Sequence, residues 1–149
     1  MTKIEVKKSV LSEATIVNKQ ISEFDMAYDE KYFKERIGNK KNLVLVAYMG
    51  KISVGYMVSY NKFNDGSFYC WMAGVVPKFR KKGALTELMN YLEKWAKAQG
   101  YEKIKIKTRN NRREMLSFLI KNGFMFTRVE KREELKDNRI ELEKQLFST

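Results

Sequence analysis

Apolar and polar residues change their spacing several times along the chain, and each change marks an element. Ile4–Lys8 alternates apolar and polar side chains, which predicts a short strand with one buried face. After Ser12 a mixed amphipathic stretch predicts a helix over Glu13–Phe24. Asp29–Ile37 predicts a second, short helix ended by Gly38-Asn39. Leu43–Met49 is a β-branched apolar run, and Gly50-Lys51 turns it back into Ile52–Tyr60 as a hairpin. Asn64-Asp65-Gly66-Ser67 is a second turn signal, leading into a long strand over Phe68–Val76.

The spacing then becomes helical. Leu85, Leu88, Met89, Leu92, Trp95 and Ala96 recur on one face, and Gly100 is the C-terminal stop. Lys103–Lys107 alternates strictly and predicts a strand. Met115, Phe118, Leu119 and Ile120 fall in a further helix closed by Asn122-Gly123. Phe124–Val129 and Ile140–Leu146 predict the last two strands, paired across Lys136-Asp137-Asn138. The order β-α-α-β-β-β-α-β-α-β-β is that of an α+β domain with one mixed sheet. Its unit over residues 68–107 should be a right-handed parallel crossover. Pro77 is the only proline, and neither a repeat nor a linker breaks the chain, so residues 1–149 read as a single domain.

Composition narrows the chemistry. The chain's 149 residues, 44% of them hydrophobic, supply one sizeable core and exclude wholesale disorder. No stretch approaches the roughly 20 apolar residues of a membrane span. The first residues carry neither a signal-peptide apolar run nor a myristoylation glycine. A single cysteine, Cys70, cannot close an internal disulfide, and a cytoplasmic setting is the economical expectation. There is no histidine. That removes Ser-His-Asp and Cys-His hydrolases and His-ligated zinc enzymes, and no metal is expected.

Charge adds one more pointer. With 30 Lys+Arg against 18 Asp+Glu the formal net charge is +12, which calls for an anionic partner. Nucleic acid, an acidic membrane surface and a phosphorylated cofactor all qualify. Residues 77–149 hold 19 of the bases and 10 of the acids, so the anion site belongs to the second half.

In a strand–helix–strand unit, ligands gather where the strand ends and the helix begins. That place is Gly74-Val75-Val76-Pro77-Lys78-Phe79-Arg80-Lys81-Lys82-Gly83-Ala84-Leu85. The first N–H groups of a helix point outward without intrahelical partners and bind phosphate oxygens well. Gly83 permits close approach, and Arg80, Lys81 and Lys82 supply charge. The competing reading, a solvated basic turn, does not account for the coincidence of cluster, strand end and helix start. A nucleotide P-loop is not expected, because Gly83 is followed by Ala84-Leu85 rather than Lys-Ser/Thr.

Arg80-x-x-Gly83-x-Leu85, after Val75-Val76-Pro77-x-Phe79, resembles the acetyl-CoA signature of the GNAT N-acetyltransferase superfamily, Gln/Arg-x-x-Gly-x-Gly/Ala. Asn111 through Leu116-Ser117-Phe118-Leu119-Ile120-Lys121-Asn122-Gly123-Phe124 is similar to the family's later helix ending in Gly-Phe, and the element order matches across the chain. Two positions depart. Leu85 stands where the family has Gly or Ala, and Leu119 stands where many members carry a tyrosine that protonates the leaving thiolate.

The resemblance implies a mixed, mostly antiparallel sheet of about seven strands with a central splayed parallel pair, flanked by about four helices. It implies acetyl-CoA as cosubstrate, with the backbone of Val75 and Val76 bonding pantetheine. The segment Arg80, Lys81, Lys82, Gly83, Ala84 and Leu85 would hold the pyrophosphate, and Asn111 would touch the cofactor or else cap its helix. A neutral primary amine, small or on a peptide or protein, would attack the acetyl carbonyl directly. Tyr69 occupies the position eleven residues before the signature Arg where several members carry a glutamate base. With a normal pKa near 10 it is a poor base, so it is either a catalytic hydrogen-bonding group or a pocket wall. Cys70, its neighbour, should face the other way as a small buried hydrophobe. The acceptor would lie against Glu23, Asp25 and Tyr28, an acidic and aromatic cluster suited to a cationic amine, or a plain helix face over core aromatics.

Dimers are frequent in the family, which makes a homodimer one expected assembly. Two other functions compete. A nucleic-acid module would use Lys103, Lys105, Lys107, Arg109, Arg112 and Arg113, although no RNA-binding aromatic motif or helix-turn-helix spacing supports it. A non-catalytic CoA-binding regulator would follow from the missing tyrosine.

Overall fold

The computed structural model describes residues 3–21 and 28–147. Among the described residues, seven strands and four α-helices form in the order that the spacing predicts. They are β1 (Ile4–Lys8), α1 (Leu11–Asn18), α2 (Glu30–Ile37), β2 (Asn42–Met49), β3 (Ile52–Tyr60), β4 (Ser67–Val75), α3 (Ala84–Ala98), β5 (Lys103–Arg109), α4 (Arg113–Lys121), β6 (Met125–Glu130) and β7 (Arg139–Gln145). The strands make one sheet in the order β1-β2-β3-β4-β5-β7-β6. Among the described residues only the β4–β5 pairing is parallel, and α3 supplies its crossover.

Alternation along the strands sorts the core into two layers. Leu43, Leu45 and Ala47 of β2, with Phe68 and Cys70 of β4 and Ile104 and Ile106 of β5, face α3 and α4. These helices bury Leu88, Met89, Leu92, Leu116 and Leu119 against them. Val44 and Val46, with Tyr56, Val58, Tyr60 and Tyr69, face the other way onto Ala14, Val17, Phe33 and Ile37 of α1 and α2. Cys70 is fully buried, and Tyr69 lies in the opposite layer, as a two-residue period demands.

Three local expectations shift. The first helix runs over Leu11–Asn18, not Glu13–Phe24. Gln20 N–H bonds Val17 O and Ile21 N–H bonds Asn18 O, so tighter i→i−3 turns close α1 and swing Ile21 into the core. Residues 22–24 lie outside the described residues. Asp29 is the N-cap of α2, not its first residue; its carboxylate accepts from Tyr32 N–H at 2.8 Å. A one-turn 3₁₀ segment, Pro77–Phe79, separates β4 from α3.

The β5–β7–β6 half of the second face carries paired charges instead of a helix. Lys103 meets Glu143 at 3.6 Å, Lys105 meets Asp65 at 2.7 Å, and Lys107 meets Glu130. The alternating lysines of β5 are therefore engaged by acids and offer no row of bases to a phosphate backbone. Asp65 also accepts from Ser67 N–H at 3.0 Å, pinning the turn into β4. Its bonds from Lys105 and Ser67 hold its carboxyl well below the usual range. A depressed folded pKa contributes stability above the unfolded value near 4, and loses it as pH falls through the folded one. Asp65→Asn should therefore cost about 1 kcal/mol at pH 7 for this half-exposed pair. The deficit should shrink towards zero in strong acid, measured by urea unfolding at several pH values.

Candidate active site

The parallel strands stay together for four rungs only, Ser67↔Lys103 to Cys70↔Ile106. Beyond Cys70 the register of β4 against β3 slips, so that Ser59 faces Cys70 while Val58 faces Met72. Trp71 is the extra residue of a β-bulge. Its effect is visible in the packing, since Trp71 and Met72, consecutive in sequence, both lie against the α1–α2 layer, and Ala73 and Val75 return to the α3 layer. Past the bulge β4 and β5 no longer pair, and a cleft of about 1070 Å³ lies between their C-terminal halves.

Backbone polarity inside the gap follows from alternation. Val76 N–H donates to Val54 O of β3 at 2.8 Å, so its donor is already engaged. Val75 therefore turns its backbone to the gap, and its carbonyl accepts from Arg80 Nε at 3.1 Å. Of the two valines expected to bond pantetheine, Val75 alone offers its N–H there, with Ala73 as its companion two residues back. The Arg80 side chain ties the strand end to the basic turn.

At the far end of the gap, Lys81 (φ 63°) and the α3 N-cap Gly83 (φ 93°) are left-handed. The first helical bond of α3 runs from Glu87 N–H to Gly83 O, which leaves the N–H groups of Ala84, Leu85 and Thr86 ahead of it as the helix's outward donors. A Cβ added to Gly83 would meet no atom within 4 Å beyond its two chain neighbours, so the space over this turn is open. Lys81 and Lys82 are exposed there, Ala84 is buried, and Leu85 is half-buried against the core.

Asn111 lines the cleft, with its N–H donated to Lys136 O at 3.1 Å. It does not cap α4; Arg112 is the N-cap, without a side-chain bond. Leu119 is fully buried in the core.

Tyr69 lines the cleft and is 6% exposed, edge-on to Tyr60 at 6.0 Å and Phe63 at 5.6 Å. Burial pushes its phenol well above the ordinary value, so the ring stays neutral and is a poorer base than free tyrosine. Tyr28 also lines the cleft, stacked on Tyr32 at 4.3 Å and edge-on to Phe33 at 6.0 Å. Its expected companions Glu23 and Asp25 lie outside the described residues.

Periodicity and spacing do not single out Trp71, Arg36 or Arg139, and they offer Arg109 only to a nucleic-acid surface. Trp71 packs edge-on against Phe33 at 5.1 Å and Tyr60 at 5.6 Å, under the Arg36 guanidinium at 5.3 Å. Arg109 and Arg139 line the same cleft.

Comparisons agree with this architecture. A model of the acetyltransferase (GNAT) family matches residues 12–124. The fold is similar to the ribosomal-protein-S18-alanine N-acetyltransferase of Escherichia coli, at TM-score 0.82 and 12% identity, over 99% of this chain and 96% of that one. It is also similar to a GNAT family acetyltransferase from Elizabethkingia anophelis with acetyl-CoA bound, at TM-score 0.76 and 16% identity, over 95% and 97%. A third is paia N-acetyltransferase from Thermoplasma acidophilum in complex with coenzyme A, at TM-score 0.73 and 18% identity, over 96% and 99%. No curated protein sequence matches the chain.

Proposed function

Because the chain belongs to the GNAT acetyltransferase family, we propose that it moves the acetyl group of acetyl-CoA to a primary amine by direct attack within a ternary complex. The observation that carries this reading is the splay of β4 from β5 after four rungs, running into a glycine-tipped helix N-terminus. Arg80, Lys81, Lys82, Gly83, Ala84 and Leu85 receive the pyrophosphate, mainly through backbone N–H groups. The Val75 N–H bonds pantetheine and orients the thioester, Val76 anchors the strand end to β3, and Asn111 borders the cofactor. Fold relatives solved with CoA or acetyl-CoA support that choice of cosubstrate.

In the reaction the amine nitrogen forms a bond to the acetyl carbon, the carbon–sulfur bond breaks, and the thiolate takes a proton. Backbone donors of β4 stabilise the developing oxyanion. Leu119 supplies no acid, so water returns the proton to sulfur. Tyr69 acts as a neutral hydrogen-bonding group at the acceptor end, and Tyr28 walls the acceptor. The single buried cysteine suits a reducing cytoplasm.

Calorimetric titration with CoA tests the reading, with micromolar binding expected and no binding below millimolar overturning it. Thiol release with a panel of amines then tests turnover. Without a titrating side-chain base, kcat/KM should climb about tenfold per pH unit up to the acceptor's own pKa. Tyr69→Phe should lower kcat by about threefold to tenfold at every pH and leave that slope intact. An unchanged kcat would remove the hydroxyl from the mechanism.

A further inference from the structure

The bulge in β4 gathers large apolar side chains on one side of the cleft. Alternation from Cys70 would turn position 72 to the α3 layer, but Tyr69, Trp71 and Met72 all lie against the α1–α2 layer, and all three line the cleft. The basic turn at Lys81–Gly83 leads into α3, on the opposite side of the sheet, which leaves this side to the acceptor.

Trp71 is half-buried and held in place. Phe33 and Tyr60 meet it edge-on at 5.1 Å and 5.6 Å, Tyr32 lies tilted at 6.0 Å, and the Arg36 guanidinium stands over its ring at 5.3 Å. Arg36 Nη1 also donates to Tyr32 Oη at 3.3 Å, and Tyr28, itself half-buried, stacks on Tyr32 at 4.3 Å. Two rings, Trp71 and Tyr28, thus present surface to the cleft from positions that the rings behind them fix. Rigid aromatic surface left open inside a cleft is what a planar apolar ligand buries.

Arg36 decides between two occupants of that surface. An aromatic ring attracts a cation through its negative face, and Arg36 already supplies that cation to Trp71. A second cation brought to the same indole would meet the repulsion of the guanidinium, whereas a neutral ring buries its area without that cost. Position also fits. Trp71 lies two residues before Ala73, roughly 7 Å along the strand from the backbone that faces the thioester.

We propose that the acceptor is a primary amine carried on a neutral aromatic ring by a short alkyl link, and that Trp71 and Tyr28 bind that ring. This rests on the acetyl-transfer reading and names its substrate class. Acetylation turns the neutral amine into an N-acetyl amide, breaks the carbon–sulfur bond, and leaves the displaced proton on CoA as the free thiol. Polyamines and lysine-rich peptides bring further ammonium groups towards Arg36 and are disfavoured.

The test is thiol release from acetyl-CoA with phenethylamine and tryptamine against hexylamine and spermidine. The better arylalkylamine should have a kcat/KM about fivefold or more above both aliphatic amines. In Trp71→Leu, which keeps an apolar side chain, that advantage should fall below about twofold through KM, with CoA Kd unchanged, while Trp71→Phe keeps most of it. Tyr28→Leu, at the margin of the cluster, should lower the advantage by about threefold and serves as the test should Trp71→Leu fail to fold. With CoA bound, phenethylamine should change the tryptophan emission of the wild type but not that of Trp71→Phe, which retains Trp95 alone. Equal rates, preference for hexylamine or spermidine, an emission that phenethylamine leaves unchanged, or an advantage that survives these substitutions would overturn the inference while acetyl transfer to amines stood. No acetylation of any amine, or no CoA binding by the wild type, would instead overturn the reading beneath it.

Discussion

Gly83→Val should leave the protein folded and weaken CoA binding by about a hundredfold or more. Gly83 is the N-cap of α3 at φ 93°, a conformation that costs an L-residue roughly 1–2 kcal/mol and a β-branched one more. Beyond its two chain neighbours nothing lies within 4 Å of its missing Cβ, so the substitution meets no packed side chain and the core stays intact. The damage falls on what the open space is for. A valine there both drives the turn out of its left-handed conformation and projects two methyl groups over the N–H groups of Ala84, Leu85 and Thr86. Hydrogen bonds to a charged group contribute about 1.5–3 kcal/mol each, so losing two already exceeds a hundredfold in Kd. Calorimetry with CoA measures the loss, and thermal unfolding separates it from the smaller cost in stability. A Kd within threefold of wild type would mean that this turn does not hold the phosphates.

That glycine was legible without any structure, and the reasons mark what a sequence can carry. Local constraints such as a β-branched run, a Gly-Lys turn or a glycine between a basic cluster and a helical face are written in neighbouring residues, and the hairpin Leu43–Tyr60 and the start of α3 follow from them. The bulge at Trp71 is different. A break in a two-residue period shows only when it exchanges an apolar residue for a polar one, and Trp71-Met72 exchanges apolar for apolar. The engaged N–H of Val76 is hidden for a related reason, since it depends on which strand lies beside β4. That Arg109 and Arg139 stand opposite each other depends on the register between two strands with a helix and a strand between them. Ion pairing of Lys103, Lys105 and Lys107 is hidden in the same way, and it is what turns a basic stretch into a neutralised face. Site chemistry that arises from cross-strand register needs the fold; site chemistry that arises from one turn does not.

The second large effect joins the fold to the cleft. Phe68→Ala should destabilise the protein by about 3–5 kcal/mol, the cost of truncating a fully buried phenylalanine. Phe68 belongs to the four rungs that hold β4 to β5, opposite Ile104. Its ring lies 5.1 Å from Trp95 in the last turn of α3 and 4.7 Å from Tyr101 in the connection from α3 to β5. One side chain therefore ties both strands of the parallel pair to their crossover helix, and nothing small can collapse into a space bounded by two larger rings. Against a typical total of 5–15 kcal/mol the loss is a large fraction, and Tm should fall by roughly 10 °C. The splay of the cleft is an angle between two strands, and that angle is defined only while its closed end is rigid. Well below the new Tm, where the variant is still folded, CoA should accordingly bind more weakly than to wild type. Phe126→Ala on β6, where the ring is 54% exposed, is the control and should change stability by about 0.5 kcal/mol or less. Denaturant and thermal unfolding of the pair, with CoA titration of each, measure both effects. If Phe68→Ala lowered Tm and left CoA affinity untouched, the closed end would be a support for the core alone, and the gap would be set by the Trp71 bulge without it.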